Sequence, residues 1–476
     1  MKDLCGGAGF TGGSMIASSA WRHRPWPVAA ALFLLVAIAC IAILAGAADR
    51  AESAPAADNQ HLGVGSCARS TCHGRQEPTG AVVRQDEILR WQDPTTPAGS
   101  HSRAWSVLGE SRGRAIAAKL GIGDPRQSAL CINCHADPGP RAAGARLSDG
   151  IGCEACHGGA AGWLAEHVKV GTTHARNVQL GMKPLENASV RAGVCLDCHF
   201  GSDRPGQFVD HRIMAAGHPR ISFELDLFST LEQHWNEDAD YARRKGAPSN
   251  VKMWAVGQAE ALQRALTLFA DARLGTQGAF PEFYFFDCQT CHRRISDAPD
   301  YRPSAPGNPG RPLPLGTPAF QDENMIMLSA AAAVVAPDLA RRLEADSRAF
   351  HAAIAQDRGA ALKAGAALRA TAGQLAERFS GASIGSAETL RIIDAIATGA
   401  VAQRFTDYEG SVQAVMAMDT LLSALVAQGT VGRGEADAIR PAINRAYAAV
   451  RDANAYDPAG FRSALSSAAG AIQRLK

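Results

Sequence analysis

The residues most able to do chemistry recur in one arrangement, a pair of cysteines followed at once by a histidine. Cys131-Ile-Asn-Cys134-His135, Cys153-Glu-Ala-Cys156-His157, Cys195-Leu-Asp-Cys198-His199 and Cys288-Gln-Thr-Cys291-His292 share the spacing Cys-x-x-Cys-His. A fifth unit, Cys67-Ala-Arg-Ser-Thr-Cys72-His73, has four residues between its cysteines. Composition alone gives about 0.01 Cys-x-x-Cys-His matches per chain. The spacing is the attachment signature of c-type haem. Two thiols bond to the haem vinyl groups, and the histidine ligates iron from one face. Five haems c are therefore expected, with His73, His135, His157, His199 and His292 as proximal ligands. In the long unit the two extra residues loop out and the Cys-His ending is intact.

Zinc is the competing chemistry for Cys/His clusters, but its ligands come in fours, and five Cys2His units do not divide that way. Whether each iron is closed or open depends on its sixth ligand. Two axial histidines give a low-potential electron-transfer centre, whereas an open position admits a small molecule. The chain has 14 histidines. His23 precedes the apolar N-terminal run, and His351 lies in the Cys-free C-terminal part. Of the remaining seven, His101, His167, His211 and His218 are the first candidates for distal ligands, His61 and His234 the next, and His174 the weakest. Met182 and Met214 are alternatives. No catalytic constellation is evident.

Those centres must be held by something, and the chain divides unevenly. Residues 27–48 form a nearly unbroken apolar run preceded by Arg22, His23 and Arg24. A run of about 20 apolar residues spans a bilayer, and its positive flank stays cytoplasmic. The expectation is a cytoplasmic segment over 1–26 and a transmembrane anchor over 27–48. The alternative is a signal peptide cleaved at Ala45-Gly46-Ala47, with Met15 as a possible start. Either way the remainder is exported. Cys5 and Cys40 fall at or before this segment, so every exported cysteine is consumed by haem attachment, which suits an oxidising compartment.

Residues 49–60 read as a linker and 61–300 as the multihaem domain. Residues 301–318 are Pro/Gly-rich and read as a second linker. Helical pieces are expected at 101–120, 160–168 and 250–272. About 46 residues per haem cannot build an ordinary aliphatic core, so porphyrins must take its place. Residues 319–476 are Ala-rich and predict four to six antiparallel helices, as a separate unit or as a cover over the haem domain. Pro337-Asp338 and Asp457-Pro458 open helices, and the apolar positions between Asp407 and Gln428 recur at helical spacing until Gly429. The fold class is mainly α. Its charge, 48 basic against 46 acidic residues, is too balanced for nucleic-acid binding. Arg69, Arg103 and Arg220 are candidates to pair with haem propionates.

The segments Ser66–Gly74 (SCARSTCHG), His101-Ser-Arg-Ala-Trp105, Gly152–Gly158 (GCEACHG), Trp163-Leu-Ala-Glu-His167 and Gly217–Asp226 (GHPRISFELD) resemble the multihaem cytochrome c family built around the cytochrome c-554-type domain. Hydroxylamine oxidoreductase and pentahaem nitrite reductase are more distant kin. The resemblance covers about 61–292. It implies a periplasmic electron-transfer protein with closely spaced haems, mostly bis-histidine ligated, and supports His101, His167 and His218 as distal ligands. Cytochrome c-554 itself has four haems, and neither the long motif nor the helical tail belongs to its pattern. No Cys-x-x-Cys-Lys is present, so the lysine-ligated haem of nitrite reductases is absent.

The leading expectation is an electron relay rather than an enzyme, serving redox partner proteins or a membrane quinol oxidoreductase. The alternative is an oxidoreductase with one open haem acting on a small nitrogen or sulfur compound. A sensory protein with the helical region as output is a third reading.

Overall fold

The computed structural model describes residues 59–77, 84–247, 249–275, 279–292, 310–314, 317–401 and 407–475. The anchor expected over 27–48, with Cys5 and Cys40, lies outside them. The described residues are mainly helical, with no strand beyond two isolated bridges, His61 with Arg141 and Phe286 with Phe320.

Among the described residues the helices of twelve or more residues are α1 (Ala188–His199), α2 (Asn250–Ala270), α3 (Glu323–Val335), α4 (Pro337–Ile354), α5 (Arg358–Gly381), α6 (Ser386–Val401), α7 (Tyr408–Ala427), α8 (Arg433–Ala449) and α9 (Pro458–Gln473). The segment before α2 is otherwise made of short helices and turns. Its helix over Ser111–Leu120 is shorter than the expected 101–120, because His101–Arg103 and Ser106–Gly109 are separate 3-10 turns. Likewise only Leu164–His167 is α-helical within 160–168.

Apolar packing is correspondingly thin there. Val64, Ile88 and Trp91 form one small cluster, and Ala192, Leu196, Phe223, Leu225 and Ala261 another. The large core runs from α2 to the C-terminus. Helix α2 is apolar on nearly every side, with Val251, Trp254, Val256, Leu262, Leu266 and Phe269 buried, which marks a helix enclosed by others. It packs on α1, α3, α5 and α7. At Gly257 the approach is closest: a Cβ would fall 2.5 Å from that of Leu225.

Among the described residues the C-terminal region has seven helices, where four to six were expected. The extra breaks are local. Pro337 follows Ala336 and starts α4 at its first turn. Asp357, Asp407 and Asp457 each cap the helix that follows by accepting backbone N–H bonds. Gly429, at φ +73°, ends α7 as the spacing predicts.

This region is a cover rather than a separate unit. Asp58–Lys476 form one compact body, because α2 carries the haem-bearing segment into the C-terminal core. A polar seam adds to it. Ser222 Oγ donates to Glu409 Oε2 at 2.8 Å, Gln413 Nε2 to the Phe223 carbonyl at 2.9 Å, and Thr420 Oγ1 to Glu224 Oε2 at 2.9 Å. All three partners lie on α7, the one described helix long and apolar enough to cross a membrane. Most of it is buried inside the fold, so it is a core helix. The expected linker over 301–318 lies partly outside the described residues. Its Arg311 is no free linker residue: it is buried and paired with Asp322 and Asp407.

Candidate metal centres

Four of the cysteine motifs sit on helical turns: Ala129–His135, Cys153–His157, the end of α1, and Cys288–His292. A helix places residues i, i+3 and i+4 on one face, so both thiols and the imidazole point the same way. The long motif is not helical throughout, yet it closes similarly. His73 N–H donates to the Cys67 carbonyl at 3.2 Å, and Cys72 N–H to the Arg69 carbonyl at 2.8 Å. The two extra residues are absorbed in that turn.

Opposite each motif histidine stands a second histidine. Ring centres are 6.4 Å apart for His73–His167, 6.0 Å for His199–His101, 6.2 Å for His135–His218, 6.2 Å for His157–His234 and 6.1 Å for His292–His211. An imidazole nitrogen lies about 2.0 Å from a first-row metal ion and the ring centre about 1.15 Å behind it, so two imidazoles across one iron have centres roughly 6.3 Å apart. All five spacings fit that geometry.

The hydrogen bonds agree. A ligating histidine almost always donates its other ring N–H to a carboxylate or carbonyl, which fixes the tautomer. His135 Nδ1 donates to the Ala104 carbonyl at 2.8 Å, His167 Nδ1 to Leu164 at 2.6 Å, His218 Nδ1 to Pro219 at 2.8 Å and His234 Nδ1 to Glu232 at 3.0 Å. His73 Nδ1 donates to Glu87 Oε2 at 3.0 Å, and His101 Nδ1 to Glu232 Oε2 at 2.9 Å. Each bond leaves Nε2 free to face a metal. Burial pushes His157 down to about 3 and His199 to about 4, so both are held in the neutral, ligating form.

Three candidates are placed elsewhere. His61 is 8% exposed, with Nδ1 2.7 Å from Asp137 Oδ2. Gly139 packs so close that a Cβ there would fall 2.2 Å from His61 Nε2. Backbone therefore occupies the space a haem would need, and His61 ties 59–63 to the 137–142 loop. His174 uses Nε2 itself in a 2.7 Å bond to Glu186. Met214 packs against the apolar core. Of the arginines, Arg220 lies against Tyr284 and Glu323, and Arg103 donates to the Asp93 carbonyl.

The motifs also touch one another in an order unlike their sequence. Cys67 and Cys153 lie within electrostatic reach of each other, as do Cys134 and Cys198. Cys156 and Cys195 lie within electrostatic reach of each other, as do His157 and His73. The motifs therefore neighbour one another in the order Cys67, Cys153, Cys195 and Cys131. The fifth motif joins through one short segment that carries both His211 and His218.

These residues fit haem at each position. Residues 66–158 match the family model described as cytochrome c554 and c-prime. This stretch is a cytochrome c domain. It spans the first three motifs and supports a haem c electron-transfer protein with covalently bound haem. No curated protein and no solved structure matches the chain.

Sequence reasoning missed the residues that orient these histidines. Glu232 holds His101 with its carboxylate and His234 with its carbonyl, so one residue fixes the rings that face His199 and His157. Glu154, between Cys153 and Cys156, is 2% exposed and accepts from Leu62, Gly63 and Ala160 N–H groups at 2.7–2.8 Å. It thereby fastens the first motif to the third. The only signal for Glu154 is a charge inside a motif whose turn must be buried.

Proposed function

We propose that the protein is a periplasmic relay that moves electrons through five haems c, each iron ligated by two histidines. The observation that carries this reading is the opposition of His167, His101, His218, His234 and His211 to the five motif histidines. Bound haem supplies the one-electron redox couple. The chain supplies two imidazoles per iron, their orientation, and close spacing between neighbouring motifs. A bis-histidine iron has no vacant position, so the reading favours transfer over chemistry on a small nitrogen or sulfur substrate.

Both ends of the path reach the surface. The His73 side chain is 45% exposed. At the other end Cys291 is exposed, and Phe283, 5.4 Å from the His211 ring, is 53% exposed. These ends suit a membrane donor, such as a quinol oxidoreductase, and a periplasmic acceptor protein. In this reading residues 27–48 anchor the chain to the inner membrane, or are cleaved as a signal, and the rest lies in the periplasm.

The test is reactivity of the purified holoprotein. Fully reduced protein mixed with hydroxylamine, nitrite or sulfite should neither consume the compound nor reoxidise, while a small oxidised cytochrome should draw off five electrons per chain. Turnover of any of these small compounds would overturn the relay.

A further inference from the structure

A group of buried charges lies where the fifth motif meets the C-terminal helices. Arg220 stacks 4.6 Å from the Tyr284 ring, donates to the Tyr284 carbonyl at 3.2 Å and lies within electrostatic reach of the Cys288 sulfur. Its nearest carboxylate is Glu323 at the start of α3, 3.9 Å away. Glu323 is 4% exposed, and its Oε2 is buried with no hydrogen-bond partner. Glu409, on α7, also acts on Arg220 and on Cys288, and is tied to Ser222.

Charge does not balance here. Arg311 is already matched by Asp322 and Asp407, and His351 lies 3.4 Å from Asp322. That leaves Arg220 to face Glu323 and Glu409, with Asp407 also near Glu323 and Asp287 buried beside the motif. Two buried carboxylates share one guanidinium, and one of them has an oxygen that nothing satisfies. A bound proton removes both difficulties.

We propose that Glu323 takes up a proton when the fifth haem is reduced, so that electron transfer at this end of the relay is proton-coupled. The inference rests on reading Cys288–His292 as a haem site. The ferric haem receives one electron from its neighbour in the relay, and the Glu323 carboxylate receives one proton from water. No bond to iron forms or breaks. The added negative charge on a haem held by Cys288, within reach of Arg220, raises the proton affinity of a carboxylate already short of positive partners. Burial pushes Glu323 up to about 8, with Arg220 opposing the rise and Glu409 and Asp407 adding to it.

The test uses holoprotein whose five haems have been counted by intact mass. Reduction potentials are measured from about pH 6 to about pH 10, and protons taken up on full reduction are read with an indicator dye in unbuffered solution. One haem should fall in potential by up to 59 mV per tenfold drop in proton concentration over part of this range. In Glu323→Gln that dependence and its proton should vanish while the other four haems keep their potentials. Glu409→Gln should instead move the window to lower pH, because one neighbouring negative charge is gone. Five haems with no pH-dependent potential, or proton uptake unchanged in Glu323→Gln, would overturn the proposal. A count of four haems with an unmodified Cys288 would remove the fifth site itself, and the proposal with it.

Discussion

His73 and His167 face each other at 6.4 Å with their ring planes only 12° apart, whereas His157 and His234 stand at 86°. The His292–His211 pair is also near parallel at 28°, and the other two pairs are near perpendicular at 78° and 87°. Parallel axial imidazoles split the iron d orbitals that lie along the ligand planes, and perpendicular ones leave them nearly degenerate. The electron paramagnetic resonance spectrum of the oxidised protein should therefore hold two rhombic low-spin signals and three of strongly anisotropic, large-gmax type. Five signals of one type would contradict these angles.

Removing a distal ring should open one iron and leave the rest closed. In His234→Ala the iron at His157 loses its sixth ligand, so about one haem in five should turn high-spin and bind cyanide or added imidazole. His174→Ala should produce no high-spin haem, because that ring is committed to Glu186. His61→Ala should likewise leave the spin state intact and lower stability, through loss of its buried bond to Asp137. A high-spin signal in either control would make that residue a ligand.

The shared core predicts a single unfolding event. Phe350, fully buried, packs on Phe320 at 4.9 Å and Phe269 at 5.3 Å. Phe350→Ala should cost about 3–5 kcal/mol. Because Phe269 belongs to α2, the loss should reach the haem region as well. Thermal melts followed by the Soret band and by far-ultraviolet circular dichroism should shift down together. Separate shifts would indicate two independent units.

Arg311 offers a sharper probe of the same junction. It is buried between Asp322 and Asp407, which come from α3's start and the cap of α7. Arg311→Ala leaves two buried carboxylates without their cation and should cost about 3–5 kcal/mol in denaturant unfolding. Arg311→Ala combined with Asp322→Asn should recover part of that loss.

How much of this was legible in the sequence depends on distance along the chain. The Cys-His units could be read because thiols and imidazole lie within one turn. His101, His167, His211 and His218 could be named from the sequence, but their pairing could not, since opposition is spatial, and nothing local separates His234, which faces His157, from His61, which Gly139 walls off. The break at Pro337 and the stop at Gly429 were visible as backbone chemistry. That α2 would serve both halves was not, because an all-apolar surface tells that a helix is buried but not what buries it.

The proposed relay requires five bis-histidine irons. The most direct measurement is near-infrared magnetic circular dichroism of the oxidised, haem-counted holoprotein at room temperature. The prediction is a low-spin bis-histidine charge-transfer band with the intensity of five haems and no high-spin band. A high-spin band in the wild-type protein, or bis-histidine intensity for only four of five haems, would contradict it.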